Sequence, residues 1–282
     1  MKVWLRVTAA LLAAALFALS MILFRQAPDP VFEGRLASAW AHDLLSPDYQ
    51  TRTEAQTALQ FLGERAAPQL SRMLRKRNAP WEKHLARLSG WAPFLDYRVT
   101  DAIQTRQRAA EMVGLLRGKA RAALPDLVSS LALEECAPEA ERAFLRCGTN
   151  STPVLAAALT NRDAAIRRQA AKLLGELGGL PDRTVHALIR LGSDPDAAVR
   201  RQAARTLGGI DEAEGARGIE EALATLATDA EEGVRAAAME GLGKRPASAR
   251  VLASLRQGLA DPGVAARLHA AKSLWVLEQE AG

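Results

Sequence analysis

One phrase, written many times over, governs what this chain can become. Residues 194–210 read DPDAAVRRQAARTLGGI, and close copies recur at nearly fixed distances. With the arginine after the central valine or isoleucine (alanine in the last copy) as a ruler, Arg167, Arg200, Arg235 and Arg267 stand 33, 35 and 32 residues apart. Alanine follows three residues after each (Ala170, Ala203, Ala238, Ala270) and leucine seven after (Leu174, Leu207, Leu242, Leu274). Gly175, Gly208 and Gly243 come eight after the first three. The ruler extends back to Arg106 with Ala109 and Gly114, and to Arg52 with Ala55 and Leu59; a weaker copy centres on Ala140 with Ala143, Cys147 and Gly148. A unit of this length cannot bury its apolar face alone, so the units must stack on one another.

Within a copy, Val199, Ala203, Leu207 and Ile210 fall at helical spacing. Asn161, Asp194, Asp229 and Asp261, six residues before each arginine, are side chains able to cap a helix. Pro195 and Pro262 then suit the first helical position, and the glycines suit its end. Between copies runs a second helical pattern, as in Val185, Leu188, Ile189 and Leu191, in Ile219, Leu223 and Leu226, and in Val251, Leu252, Leu255 and Leu259. Pro68, Pro125 and Pro153 mark the starts of the earlier second helices. Each unit is therefore a helical hairpin, and the expected fold is an all-α solenoid of about seven stacked hairpins over residues 46–282. The seventh copy lacks a second helix and carries Trp275 where others have glycine. Its indole is expected to fold back over the preceding helix pair as a lid.

The pattern D-P-x-x-x-V-R-x-x-A-A-x-x-L-G resembles the HEAT and HEAT-like repeats over residues 46–280. The stretch VFEGRLASAWAHDLL ahead of the repeats is similar to the membrane-anchored HEAT-repeat proteins of bacteria. The resemblance implies scaffolding and protein binding on a curved surface more often than catalysis. Its enzymatic branch, the bilin lyases and alkylpurine DNA glycosylases, is the alternative it leaves open. Hydroxylases built on these repeats carry paired His-Glu motifs, which His42, His84, His186 and His269 do not form.

The first residues, MKVWLRVTAALLAAALFALSMILFRQ, place an uncharged run from Val7 to Phe24 between Arg6 and Arg25. Eighteen helical residues reach about 27 Å, enough for a bilayer core. Residues 1–26 are thus expected to form a signal anchor or transmembrane helix, with 27–45 as a juxtamembrane segment. Lys2 and Arg6 orient the amino terminus to the cytoplasm, giving a single-pass protein of the bacterial inner membrane with its repeats in the periplasm. A cleaved signal peptide, with the repeats secreted, is the other reading, since Ala18-Leu19-Ser20 offers a cleavage site.

The 37 basic against 32 acidic residues give a net charge of +5 over 282 residues, too mild and too dispersed to point to nucleic acid. Each ladder arginine is expected to tie its hairpin to an acidic or carbonyl group of the adjacent loop, rather than to track phosphates. The spacing breaks once, at residues 75–98, where Arg75 and Arg77 adjoin Trp81, Trp91 and Tyr97. Arginine beside aromatics is the composition of binding hot spots; equally, the insertion could be a helix that plugs the first hairpins. A second candidate surface lies on the second helices, at His186, Arg190, Glu221 and Thr225, whose mixed polarity suits a protein partner. Self-association is also compatible with the end of the stack. Cys136 and Cys147 lie too far apart on one helix for a disulfide. No metal-ligand spacing, phosphate loop or nucleophile elbow occurs, so no cofactor and no catalytic residue is expected.

Overall fold

The computed structural model describes residues 29–77, 101–210 and 218–281. The chain opens with a two-stranded antiparallel hairpin, β1 (Val31–Phe32) and β2 (Arg35–Leu36), turned by Glu33 and Gly34, both at positive φ. Fourteen α-helices follow among the described residues. After α1 (Ala37–Asp43) the first hairpin is α2 (Tyr49–Leu62) with α3 (Ala67–Leu74), and the second α4 (Ala102–Leu116) with the short α5 (Leu124–Leu127). Then come α6 (Ala137–Cys147) with α7 (Thr152–Ala158), α8 (Ala164–Leu177) with α9 (Asp182–Leu191), and α10 (Ala197–Gly208) with α11 (Ile219–Leu226). The sixth hairpin is α12 (Glu232–Leu242) with α13 (Ala249–Gly258), and α14 (Val264–Ala281) ends the stack alone.

The first helix of each hairpin packs on the first helix of the next. Alanine three after the ruler position makes that approach possible: Ala55, Ala109, Ala143, Ala170, Ala203, Ala238 and Ala270 are all at most 1% exposed. One apolar core runs without interruption from Ala37 to Leu277. Residues 29–45, expected as a juxtamembrane segment, pack against the first hairpin. Trp40 is buried in this core, with its indole N–H donating to the Phe32 carbonyl, and the Asp29 carboxylate accepts from Gln69 of α3. The span expected at residues 1–26 lies outside the described residues; among those, no helix is long and apolar enough to cross a membrane.

The repeated arginines join neighbouring hairpins. Arg167 donates through Nε and Nη2 to Asp194 at 2.7 and 2.7 Å, Arg200 likewise to Asp229, and Arg235 to Asp261. Through Nη1 each also grips two carbonyls of the loop ahead of its own helix, as Arg200 does those of Asp194 and Pro195. Every fork is thus shared between one loop and the next. The side chains are 6–16% exposed, so these are nearly desolvated pairs. The Arg200 and Arg235 bonds hold Asp229 and Asp261 below the usual carboxylate range. At Asp194 burial pushes upward, but the bonds from Arg167 and the Asp196 N–H outweigh it, again lowering the value.

This geometry corrects the expected capping. Asp194 does not cap α10; its carboxylate takes the Arg167 fork and the Asp196 N–H, leaving Asp196 to cap through the N–H groups of Ala198 and Val199. Asp163 caps α8 in the same way. Pro195 consequently sits in the turn ahead of the helix. Of the glycines eight after each arginine, Gly208 (with Gly209) and Gly243 do close α10 and α12 as expected, whereas Gly114 and Gly175 lie inside α4 and α8. All four are points of close approach to the next first helix. A Cβ on Gly208 would lie 2.5 Å from the Gly241 Cα, and one on Gly175 3.1 Å from the Thr206 methyl.

Trp275 is not a lid. It is 63% exposed, because α14 continues unbroken to Ala281 and the eighth position faces the side on which a following repeat would sit.

Candidate protein-binding surface

The second helices bury one row and show another. Val185, Leu188 and Leu191 of α9 and Ile219, Leu223 and Leu226 of α11 enter the core, which turns His186, Arg190, Glu221 and Thr225 outward. Between the two helices lies an open groove of about 350 Å³. Its floor is Ile189, Ala222 and Leu226, and its rim is His186, Ser193, Glu221 and Thr225. Gly218, at φ 96°, starts α11 in a left-handed conformation that leaves room beside Ile189. The Thr225 hydroxyl donates to the Glu221 carbonyl at 2.9 Å, and Arg250 of α13 stands 3.7 Å from the Glu221 carboxylate. The groove thus offers an apolar strip edged by an imidazole, a hydroxyl and a loosely paired carboxylate.

Three of the four residues expected on this face therefore meet in one groove. Arg190 is exposed on α9 but does not line it. Arg250 and Ile189 were not legible as site residues: Ile189 reads as ordinary core spacing, and Arg250 precedes the positions, Ala253 and Gln257, that align with the row.

At the other candidate surface, Arg75 and Arg77 line a depression of about 370 Å³ with Arg106, Asp126 and Ser129. Arg75 Nε lies 3.6 Å from the Asp126 carboxylate, and Arg106 Nε donates to the Lys76 carbonyl at 2.9 Å. Trp81, Trp91 and Tyr97 lie outside the described residues. A third hollow, of about 330 Å³, gathers His42, Leu45, Arg72 and Met73 around Gln69; its polar residues come from three separate helices, so no local motif announces it. Asp43, beside His42 in sequence, is taken by Arg35.

Both cysteines are free and buried. Burial pushes the Cys147 thiol up to about 11 and raises Cys136 as well. Among the described residues no three histidine, cysteine, aspartate or glutamate side chains gather as a metal site requires.

The family model of the HEAT repeats matches residues 151–225 and 184–275. Residues 151–275 carry HEAT repeats. Solved structures similar to it include the complex of CpcE and CpcF of phycocyanin lyase from Nostoc sp. PCC7120, at 24% identity over 54% of this chain and 98% of that chain, with a TM-score of 0.49. The archaeal HEAT-like repeats protein from Thermococcus onnurineus NA1 is 14% identical over 90% of this chain and 99% of that one, with a TM-score of 0.47. Human deoxyhypusine hydroxylase is 20% identical over 86% and 96%, with a TM-score of 0.39. No curated protein matches the sequence. The HEAT units matched by the family model run from α7 into α14, so they contain the α9–α11 groove and the whole Asp–Arg ladder.

Proposed function

We propose that this HEAT-repeat protein is a non-catalytic scaffold, tethered to the bacterial inner membrane through residues 1–26, that holds a protein partner in the α9–α11 groove. The observation carrying the reading is that groove: His186, Glu221 and Thr225 rim an apolar floor on helices whose opposite faces are buried in the core. An apolar strip with a polar rim is the anatomy of a protein-binding patch. The ladder arginines, by contrast, are spent on aspartates and carbonyls, which removes them as a phosphate-binding stripe.

A photo-reactive residue at position 225 should crosslink one defined protein in intact cells, and the same residue at position 168, on the first helix α8, should not. Equal labelling from both positions, or none from 225, refutes the groove. Alkaline carbonate extraction and protease access to spheroplasts test the tether: protein released by carbonate, or repeats protected from protease, refutes that part.

A further inference from the structure

The last helix repeats the packing face of its predecessor but leaves it bare. Counting from Arg235 to Arg267, Leu268 and Ala271 of α14 occupy the places of Ala236 and Met239 of α12. Ala236 and Met239 are 7% and 2% exposed, whereas Leu268 is 66% exposed and Ala271 is open to solvent. Val264, 68% exposed, and Trp275, 63%, lie on the same face, making a stripe at spacings of four, three and four. An exposed stripe of this kind marks an interaction surface.

The stripe is complementary to itself. Reversed about the midpoint between positions 269 and 270, Val264 exchanges with Trp275 and Leu268 with Ala271, so each bulky side chain meets a smaller one. The charges follow the same symmetry. Arg267 is held by the Asp261 and Pro262 carbonyls at 2.7 and 3.0 Å, the grip its counterparts make. Its Nε and Nη2 edge, closed by an aspartate in Arg167, Arg200 and Arg235, meets no carboxylate among the described residues. Glu278 is exposed and stands eleven residues, about three turns, after Arg267 on the same flank. In an antiparallel pair like flanks face each other, and the same midpoint brings position 278 level with position 261, where the Arg267 guanidinium lies. Lys272 falls on the other flank, with Gln279.

We propose that α14 is a two-fold dimer interface, in which two copies of this chain pair antiparallel through Val264, Leu268, Ala271 and Trp275, with Arg267 of each copy bonded to Glu278 of the other. A further repeat stacked in regular register does not fit, since Trp275 stands where Gly208 and Gly243 let the next helix come close. Head-to-tail stacking of a second copy does not satisfy Arg267 either, because its first hairpin has Ser46 where the ladder has aspartate. The two-fold pairing is closed and stops at two chains.

Sedimentation equilibrium of the full-length chain in density-matched detergent tests this. A dimer is expected at micromolar concentration. Trp275→Ala and Leu268→Ser should each weaken it at least tenfold, with the far-ultraviolet circular dichroism unchanged. Arg267→Glu and Glu278→Arg should each dissociate it, and the double variant Arg267→Glu/Glu278→Arg should restore it. A monomer at all concentrations overturns the proposal, as does a dimer that survives Trp275→Ala and Leu268→Ser, and failure of the double variant to re-pair overturns the antiparallel register.

Discussion

Arg200 is the place to test whether the ladder holds the stack together. Arg200→Leu keeps most of the alkyl stem but removes two bonds to Asp229, at 2.8 and 2.9 Å, and two to the carbonyls of Asp194 and Pro195. It leaves behind an aspartate whose side chain is 11% exposed. Breaking one partner out of a buried pair costs about 3–5 kcal/mol; the strip of Asp229 that reaches water reduces the expected loss to about 2–3 kcal/mol, the scale of a hydrogen bond to a charged group. Guanidinium unfolding followed by circular dichroism measures the total, and hydrogen exchange should show α10 and α12 losing protection first, because interfaces in a solenoid act between nearest neighbours. Arg267→Leu, which has no carboxylate to strand, should cost less than about 1 kcal/mol where the chain is diluted to monomer. Acid provides a second reading. Asp229 lies below the usual carboxylate range in the folded chain, so its contribution is fully present above the unfolded value near ~3.9 and is lost as pH falls through the lower folded value. Wild type should therefore lose stability from about pH 4 downward, and Arg200→Leu should lose less over that window. A destabilisation under about 0.5 kcal/mol, or an unchanged acid limb, would refute the reasoning.

The glycines should separate by what faces them. Gly208→Ala should destabilise by about 1–3 kcal/mol through backbone contact with Gly241, while Gly175→Ala, facing a side-chain methyl that can shift, should stay within about 1 kcal/mol of wild type because alanine favours the helix; melting curves decide. Glu232 accepts from the Ala265 N–H at 2.8 Å and so supports the start of α14 from the preceding repeat; Glu232→Ala should cost about 1 kcal/mol in chemical denaturation. Cys136 and Cys147 should resist iodoacetamide at pH 8 in the folded chain and react on denaturation, as mass spectrometry would show; rapid modification of native Cys147 would contradict its raised thiol value.

Periodicity made the hairpins legible, since an apolar row at helical spacing has one way to be buried when the next unit offers the same row. The alanines, the prolines opening α3, α5 and α7, and the arginine's link to the adjacent loop were all readable from position alone. His186, Glu221 and Thr225 could be placed on one face for the same reason. The identity of contacts across units was not. Asp194 could equally have capped its own helix or received the arginine of the hairpin before it; the chain passes the same loop in both cases, and only the stacking distance between α8 and α10 selects the second. Gly208 closes α10 as its position suggested, but the sequence shows only the missing side chain and not the backbone of Gly241 that requires its absence. Trp275 read as a lid because an apolar ring seeks cover, yet the direction of its cover depends on which side of α14 the preceding repeat occupies. The sequence by itself determined the repeating unit and its buried row, which depend on contacts a few residues apart; the tertiary structure decided which side chains of one unit meet the next, because those contacts span about thirty residues and turn on packing distances that no local pattern encodes.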